Sequence, residues 1–114
     1  MLIYNTSFHV DTERELSHFL TYMRDTYLPA IQEGSLLQNV RFVRLLTDIG
    51  DNLIGYCVMA DVRDLQVMKK WKLEVGRKAD ENFHKEFGDK ILTFSTTMKD
   101  VELTTSVASK SKPS

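Results

Sequence analysis

The apolar residues of this chain follow two periods in turn, and each change of period marks a boundary between predicted elements. Residues 1–10 alternate between two faces, which predicts a strand. Residues 16–31 then place apolar side chains every three or four positions, which is typical of an amphipathic helix. Pro29 predicts a kink or an early stop of this helix near Tyr27, and Gly34 ends the segment.

The centre of the chain predicts a β-hairpin. Residues 39–49 and 53–62 favour strands, and they are separated by Gly, Asp and Asn, which tolerate the positive φ angles of a short turn. A turn that is symmetric about Asp51 sets Arg41 opposite Asp61 on the neighbouring strand. This register explains one arginine without a functional role.

The second half of the chain repeats the helix and the strand. An apolar stripe from about Asp64 predicts a helix that ends at Gly88, and residues 90–103 predict a fourth strand. Two strand-helix-strand halves joined by a hairpin form the split βαβ arrangement. We therefore predict an α+β, ferredoxin-like βαββαβ fold, in which a four-stranded antiparallel sheet carries both helices on one face.

The other face of this sheet is predicted to be moderately apolar, so it needs cover. Stacking the same sheet from a second copy about a two-fold axis hides such a face. The pattern therefore predicts a homodimer that joins through the sheet face, as in a dimeric α+β barrel.

The composition favours one domain and argues against two classes of partner. The chain has 114 residues, and its 15 basic and 16 acidic side chains create no net field that attracts nucleic acid. No run approaches the roughly 20 apolar residues of a membrane-spanning helix. The single cysteine, Cys57, and the absence of a secretion-signal pattern predict a cytoplasmic location. We predict one domain over residues 1–103 and a disordered tail over residues 104–114.

Four residues are candidates for the wall of a ligand pocket. Tyr4 and Trp71 offer aromatic surface between helix and sheet, although such residues more often serve packing alone. Asn5 is an amide inside a strand covered on both faces, so it needs a hydrogen-bonding partner. Arg44 shares its strand face with apolar residues, where a guanidinium either reaches water or binds an anion. Together they predict a pocket for a small anionic or aromatic ligand, without a cofactor.

Several segments resemble a family of small uncharacterised bacterial proteins that carries a domain-of-unknown-function label. They are Ile3-Tyr4-Asn5-Thr6, Arg44-Leu45-Leu46-Thr47, Trp71, and Phe87-Gly88-Asp89-Lys90-Ile91-Leu92-Thr93-Phe94 with Thr96 and Met98. The resemblance covers about residues 1–103 and implies the dimeric α+β barrel superfamily. That superfamily includes antibiotic-biosynthesis and haem-degrading monooxygenases, muconolactone isomerase-like enzymes and ligand-sensing domains of regulators, so the resemblance leaves the function open.

The haem-degrading branch suggests an alternative, a haem-binding or cofactor-independent monooxygenase or isomerase. The similar enzymes use an asparagine on the first strand with a tryptophan and an axial histidine on the second helix, and this chain has Asn5, Trp71 and His84 for these roles. His84 lies about 220° around a continuous helix from Trp71, so a haem site requires a break at Gly76 that resets the helical phase. No metal site is predicted, because the three histidines share neither ligand spacing nor a face.

Overall fold

The computed structural model describes residues 1–50, 52–101 and 103, and it has the predicted order of elements. The strands are β1 (Leu2–Asp11), β2 (Gln38–Arg44), β3 (Leu53–Val62) and β4 (Leu92–Lys99). Helix α1 joins the α-helical turns of Leu16–Tyr22, a π-helical turn over Met23–Tyr27 and the α-helical Leu28–Ile31. Helix α2 likewise joins Leu65–Trp71, a π-helical turn over Lys72–Gly76 and Arg77–Phe87. The tail that we predict over residues 104–114 lies outside the described residues.

The four strands form one antiparallel sheet in the order β2-β3-β1-β4. The alternation predicted for the first strand is confirmed, because Tyr4, Phe8 and Val10 are buried beneath the helices. Phe8 lies at the centre of the core, where its ring centroid is 5.3 Å from that of Phe19 and 5.2 Å from that of Phe83. One residue of β1 thereby joins both helices to the sheet. Among the described residues, no helix has the length and apolarity that crossing a membrane requires.

Each helix contains one π-helical turn, and the spacing of the buried residues explains it. The buried side chains of α1 lie four residues apart. They are Phe19, Met23, Tyr27 and Ile31. Four residues of an α-helix turn about 400°, so a stripe at this spacing drifts by about 40° per step. One extra residue in a π-turn rotates the later part back by about 100°, which keeps the stripe on the sheet. Helix α2 uses the same device between Trp71 and Ala79.

The register of the central hairpin differs from the predicted one. Arg41 pairs with Met59, so the turn is centred on Gly50, and the prediction that Arg41 is the direct partner of Asp61 was wrong. Because the difference in register is two residues, each side chain stays on its expected face of the sheet. Arg41 still reaches Asp61 diagonally, with a nitrogen-to-oxygen distance of 3.9 Å.

Candidate functional site

A cavity of about 390 Å³ lies between α2 and the β1–β4 half of the sheet, and we call it the aromatic cavity. Its walls carry the rings of Tyr4, Tyr27 and Trp71, all of which are buried. Its rim carries charged side chains from α2, and β4 contributes one hydroxyl. The remaining lining residues are Lys72, Leu73, Gly76, Arg77, Asp80 and Ser95. Both π-helical turns contribute to this lining, and such turns occur frequently at functional sites.

The indole of Trp71 is fixed by three contacts. Its Nε1 donates a hydrogen bond of 2.8 Å to the carbonyl oxygen of Ile31, one of the last carbonyls of α1, which lack a partner within the helix. Its ring centroid lies 4.8 Å from that of Tyr4. A Cβ at Gly76 would lie only 2.6 Å from the indole, so the absence of a side chain there admits the ring. Trp71 is therefore both a structural link between the helices and a wall of the cavity.

The sheet side of the aromatic cavity carries a chain of hydroxyl groups. The Thr6 hydroxyl donates a hydrogen bond of 2.6 Å to the hydroxyl oxygen of Tyr4. Thr6 Oγ1 also lies 3.0 Å from Ser95 Oγ on the neighbouring strand. Hydroxyls both donate and accept hydrogen bonds, so this chain offers polar contacts at one end of an aromatic space.

Tyr27 presents a phenol that stays protonated. Burial raises its pKa far above the ordinary value of 10.0, and the nearby Tyr4 and Asp80 raise it further. A phenol held neutral is a hydrogen-bond donor. Tyr27 therefore adds a neutral phenol, within hydrogen-bonding reach of Thr6 and Tyr4, to the wall of the cavity.

This buried phenol predicts a specific loss of stability in alkali. In the unfolded chain Tyr27 ionises near pH 10, whereas in the folded protein its pKa is raised. When the folded-state pKa is raised, the neutral phenol stabilises the folded protein at every pH below the pKa of the unfolded chain. This stabilisation is lost as the pH rises above that pKa, by up to about 1.4 kcal/mol per pH unit. Urea unfolding at pH 8 and pH 11 measures this loss. We expect a smaller loss in Tyr27→Phe than in the unchanged protein, and equal losses would contradict the assignment.

The structure brings together two of the four predicted pocket residues and places the other two elsewhere. Tyr4 and Trp71 lie side by side in the aromatic cavity. Asn5 points to the opposite face of the sheet, because neighbouring residues of a strand alternate, and there it donates a 3.3 Å hydrogen bond to Ser7 Oγ. Arg44 is exposed at the end of β2, and the strands β3 and β1 separate it from the β4 side.

Positive charge comes to this cavity from two residues that sequence reasoning missed. Lys72 is the first residue of the π-helical turn, Arg77 directly follows the turn, and both line the rim. The apolar stripe of α2 gave them no assignment. The signal that could have located them is the repeated spacing of four residues after Trp71, because that spacing requires a π-turn.

The haem alternative is not supported by the positions of its three residues. The π-helical turn does shift the phase of α2, and it moves His84 from about 220° to about 120° around the helix from Trp71, so the two side chains still point apart. His84 nevertheless remains exposed and lines a different cavity, with Gly88, Ile91 and Thr93. Asn5, on the other sheet face, joins neither of them. Within residues 1–50, 52–101 and 103, no three His, Cys, Asp or Glu side chains are grouped as metal ligands would be.

The sheet face opposite the helices, which we call the open face, carries exposed apolar side chains, and no described helix or strand covers it. Its exposed large side chains lie mainly on β4. They are Leu92, Phe94 and Met98, and strands β2 and β3 add Val43 and Leu53 to the same face. Cys57 lies between them, buried, with its sulfur 3.4 Å from Ser7 Oγ.

Comparison with known proteins decides the family. Residues 1–101 match the family described as a domain of unknown function, DUF4286. The chain belongs to this family. No curated protein matches the sequence of this DUF4286 chain.

Solved structures with the same fold differ widely from this DUF4286 chain in sequence. An ethyl tert-butyl ether D (EthD) family protein from Bacillus halodurans has a TM-score of 0.66 at 13% identity, with 89% of this chain and 100% of that chain covered. HapK from Hahella chejuensis has a TM-score of 0.63 at 7% identity, with coverage of 92% and 97%. The de novo designed protein Foldit4 has a TM-score of 0.54 at 8% identity, with coverage of 88% and 98%. Natural and designed proteins share this ferredoxin-like fold, so the similarity establishes architecture and no activity.

Proposed function

We propose that this DUF4286 chain binds a small organic anion with an aromatic body in the aromatic cavity. The supporting observation is the combination of three buried rings, Tyr4, Tyr27 and Trp71, with the cations Lys72 and Arg77 at the rim. Its volume of about 390 Å³ falls within the range of small-molecule sites. The rings supply apolar and π contacts, and the cations attract the anionic group.

The polar groups define how such a molecule lies. A carboxylate toward Arg77 accepts hydrogen bonds from the guanidinium, and the aromatic body then lies against Trp71. An oxygen on the far side of the ligand meets the neutral phenol of Tyr27 and the hydroxyl chain that begins at Ser95. Asp80 at the rim disfavours a second negative charge on the ligand. The cavity therefore suits a monoanion.

Calorimetry with benzoate and its neutral analogue benzamide tests this proposal. We expect saturable binding of benzoate and weaker binding of benzamide to the unchanged protein. Replacing Arg77→Gln is expected to weaken benzoate binding by about threefold to tenfold, since the charge is at an exposed rim, and to leave benzamide unaffected. Lys69→Gln is the matched control, because Lys69 is exposed on the same helix and is not part of the cavity lining. Equal affinity for the two compounds, or no binding of either, would overturn the proposal.

The proposal includes a homodimer that joins two open faces. Leu92 and Phe94 are each more than half exposed, and stacking a second sheet on them removes this apolar surface from water. This stacking leaves the helix face of each sheet accessible, and each aromatic cavity lies on that face. The single cysteine fits a reducing location, so we place the dimer in the cytoplasm, and the cavity requires no cofactor for binding.

Replacing Phe94→Lys is expected to convert the dimer into monomers, because it places a charge in the centre of the joined faces. Thr93→Lys is the control, since Thr93 lies on the same strand but on the helix side. Light scattering after size exclusion measures both masses. A monomeric unchanged protein, or a Phe94→Lys variant that remains dimeric, would contradict this mode of association.

A further inference from the structure

We propose that β4 accepts an extended peptide from a partner protein, which pairs with its outer edge as a fifth strand. In the sheet formed by the described residues, β4 is an edge strand, and all eight of its residues are exposed. An edge strand presents a row of backbone N–H and C=O groups that can pair with another strand. This inference goes beyond the binding of a small anion: it uses the backbone edge of β4, and it rests on the proposed function only in that one peptide side chain enters the aromatic cavity.

The two edges of the sheet differ in how well they are protected against such pairing. The β2 edge is interrupted by an irregularity between Gln38 and Arg41, and it carries the charges of Arg41 and Arg44. Bulges and charged side chains are the usual means by which proteins block edge pairing. In contrast, β4 pairs with β1 without a shift in register and has no charged residue before Lys99. Its threonines and Phe94 favour extended structure. The β4 edge therefore lacks both of the protections that the β2 edge has.

Cavities follow the helix side of β4 at the spacing of a strand. Thr93 lines a cavity of about 440 Å³, Ser95 lines the aromatic cavity of about 390 Å³, and Thr97 lines a third of about 440 Å³. These three residues alternate along β4, so the strand positions that line the cavities are about 6.6–6.8 Å apart. A strand added to the edge repeats its side chains on one face at the same interval. Pockets for alternate side chains are the means by which proteins recognise added strands.

The linings define the chemistry of the peptide. The central cavity has three aromatic walls and fits an aromatic side chain. The cavity beside Thr97 combines Met1, Leu2 and Leu65 with charged groups, and its apolar part fits an aliphatic side chain. The cavity beside Thr93 combines Phe83 and Ile91 with charged groups, so it fits an aliphatic or amphipathic side chain. The partner segment is therefore extended, free of proline, and carries an aromatic residue between two aliphatic ones at alternate positions.

Fluorescence anisotropy with a labelled synthetic peptide tests this inference on the full chain. In the probe, threonine alternates with valine, tyrosine and valine, and a lysine stands at each end. The control peptide replaces the two inner threonines by proline, which keeps the cavity-filling side chains but removes backbone donors. We expect saturable binding of the probe and at least tenfold weaker binding of the control. Equal binding of the two peptides, or no binding of the probe, would overturn the inference.

Variants on the two faces of β4 locate the binding. Ser95→Arg fills the central cavity and is expected to abolish probe binding, whereas Thr96→Arg, on the opposite face, is expected to retain it. Circular dichroism confirms that both variants fold. Loss of binding in Thr96→Arg alone would place the peptide on the open face and overturn the inference. Benzoate is expected to compete with the probe, because both fill the central cavity. If benzoate binds and the probe does not, strand addition fails while the proposed ligand site stands.

Discussion

Replacing Trp71→Ala is expected to lower the free energy of unfolding by about 3–5 kcal/mol, the usual cost of removing a large buried aromatic side chain. Trp71 is only 2% exposed, and its ring lies against Tyr4. The replacement also leaves the carbonyl oxygen of Ile31 without its indole donor. An unpaired carbonyl at the end of α1 adds to the cost of the empty space.

Urea unfolding followed by circular dichroism measures this effect without relying on the lost indole. Trp71→Phe retains most of the ring volume but cannot donate to Ile31, so we expect a smaller loss of about 1–3 kcal/mol. Leu73→Ala is the control on the same helix, because Leu73 is 67% exposed and its truncation should change the stability by less than about 0.5 kcal/mol. If Trp71→Ala lost less stability than the control Leu73→Ala, the indole would not link the helices.

Replacing Gly76→Ala is expected to have opposite effects in two backgrounds. Gly76 has helical dihedral angles, so alanine there favours helix by about 1 kcal/mol when nothing obstructs its Cβ. In the unchanged protein that Cβ would lie 2.6 Å and 2.8 Å from two ring carbons of Trp71, and such overpacking costs about 1–3 kcal/mol. We therefore expect destabilisation when Trp71 is present and stabilisation in the Trp71→Ala background.

A double-mutant cycle of these two positions measures the coupling directly. The change of sign is diagnostic, because a general effect of glycine on the helix has the same sign in both backgrounds. Glu74→Ala, on the exposed side of the same turn, is expected to show no coupling to Trp71. Equal effects of Gly76→Ala in both backgrounds would contradict the packing of the indole on Gly76.

The positions of strands and helices follow from local patterns that the sequence displays in full. The alternation of residues 1–10 assigns Tyr4 and Phe8 to one face, and the structure confirms it. The same alternation places Asn5 on the face opposite Tyr4. The prediction of one pocket that contains both residues was therefore inconsistent with the alternation. The register of the hairpin was less accessible, because neighbouring turn residues such as Gly50 and Asp51 are equally compatible with a turn centre.

The assembly of the site depends on features that act over longer distances. Arg44 is far from the aromatic cavity because of the order of the strands, which local periodicity does not specify. Lys72 and Arg77 reach the cavity from the first residue of a π-helical turn and from the residue after it, and that turn results from packing a long stripe on the sheet. The haem alternative required the same break in phase. The break leaves the His84 side chain in a different cavity from Trp71. Composition and periodicity therefore predict the fold better than the site.

The most direct test of the proposed site is the emission of Trp71 during a titration with benzoate. Trp71 is the only tryptophan of the chain and forms a wall of the aromatic cavity, so excitation selective for indole observes this cavity alone. The account predicts a saturable change in emission with the same midpoint as the heat of binding, and a weaker response to benzamide. Emission that stays unchanged while calorimetry records benzoate binding would place the ligand elsewhere and contradict the account.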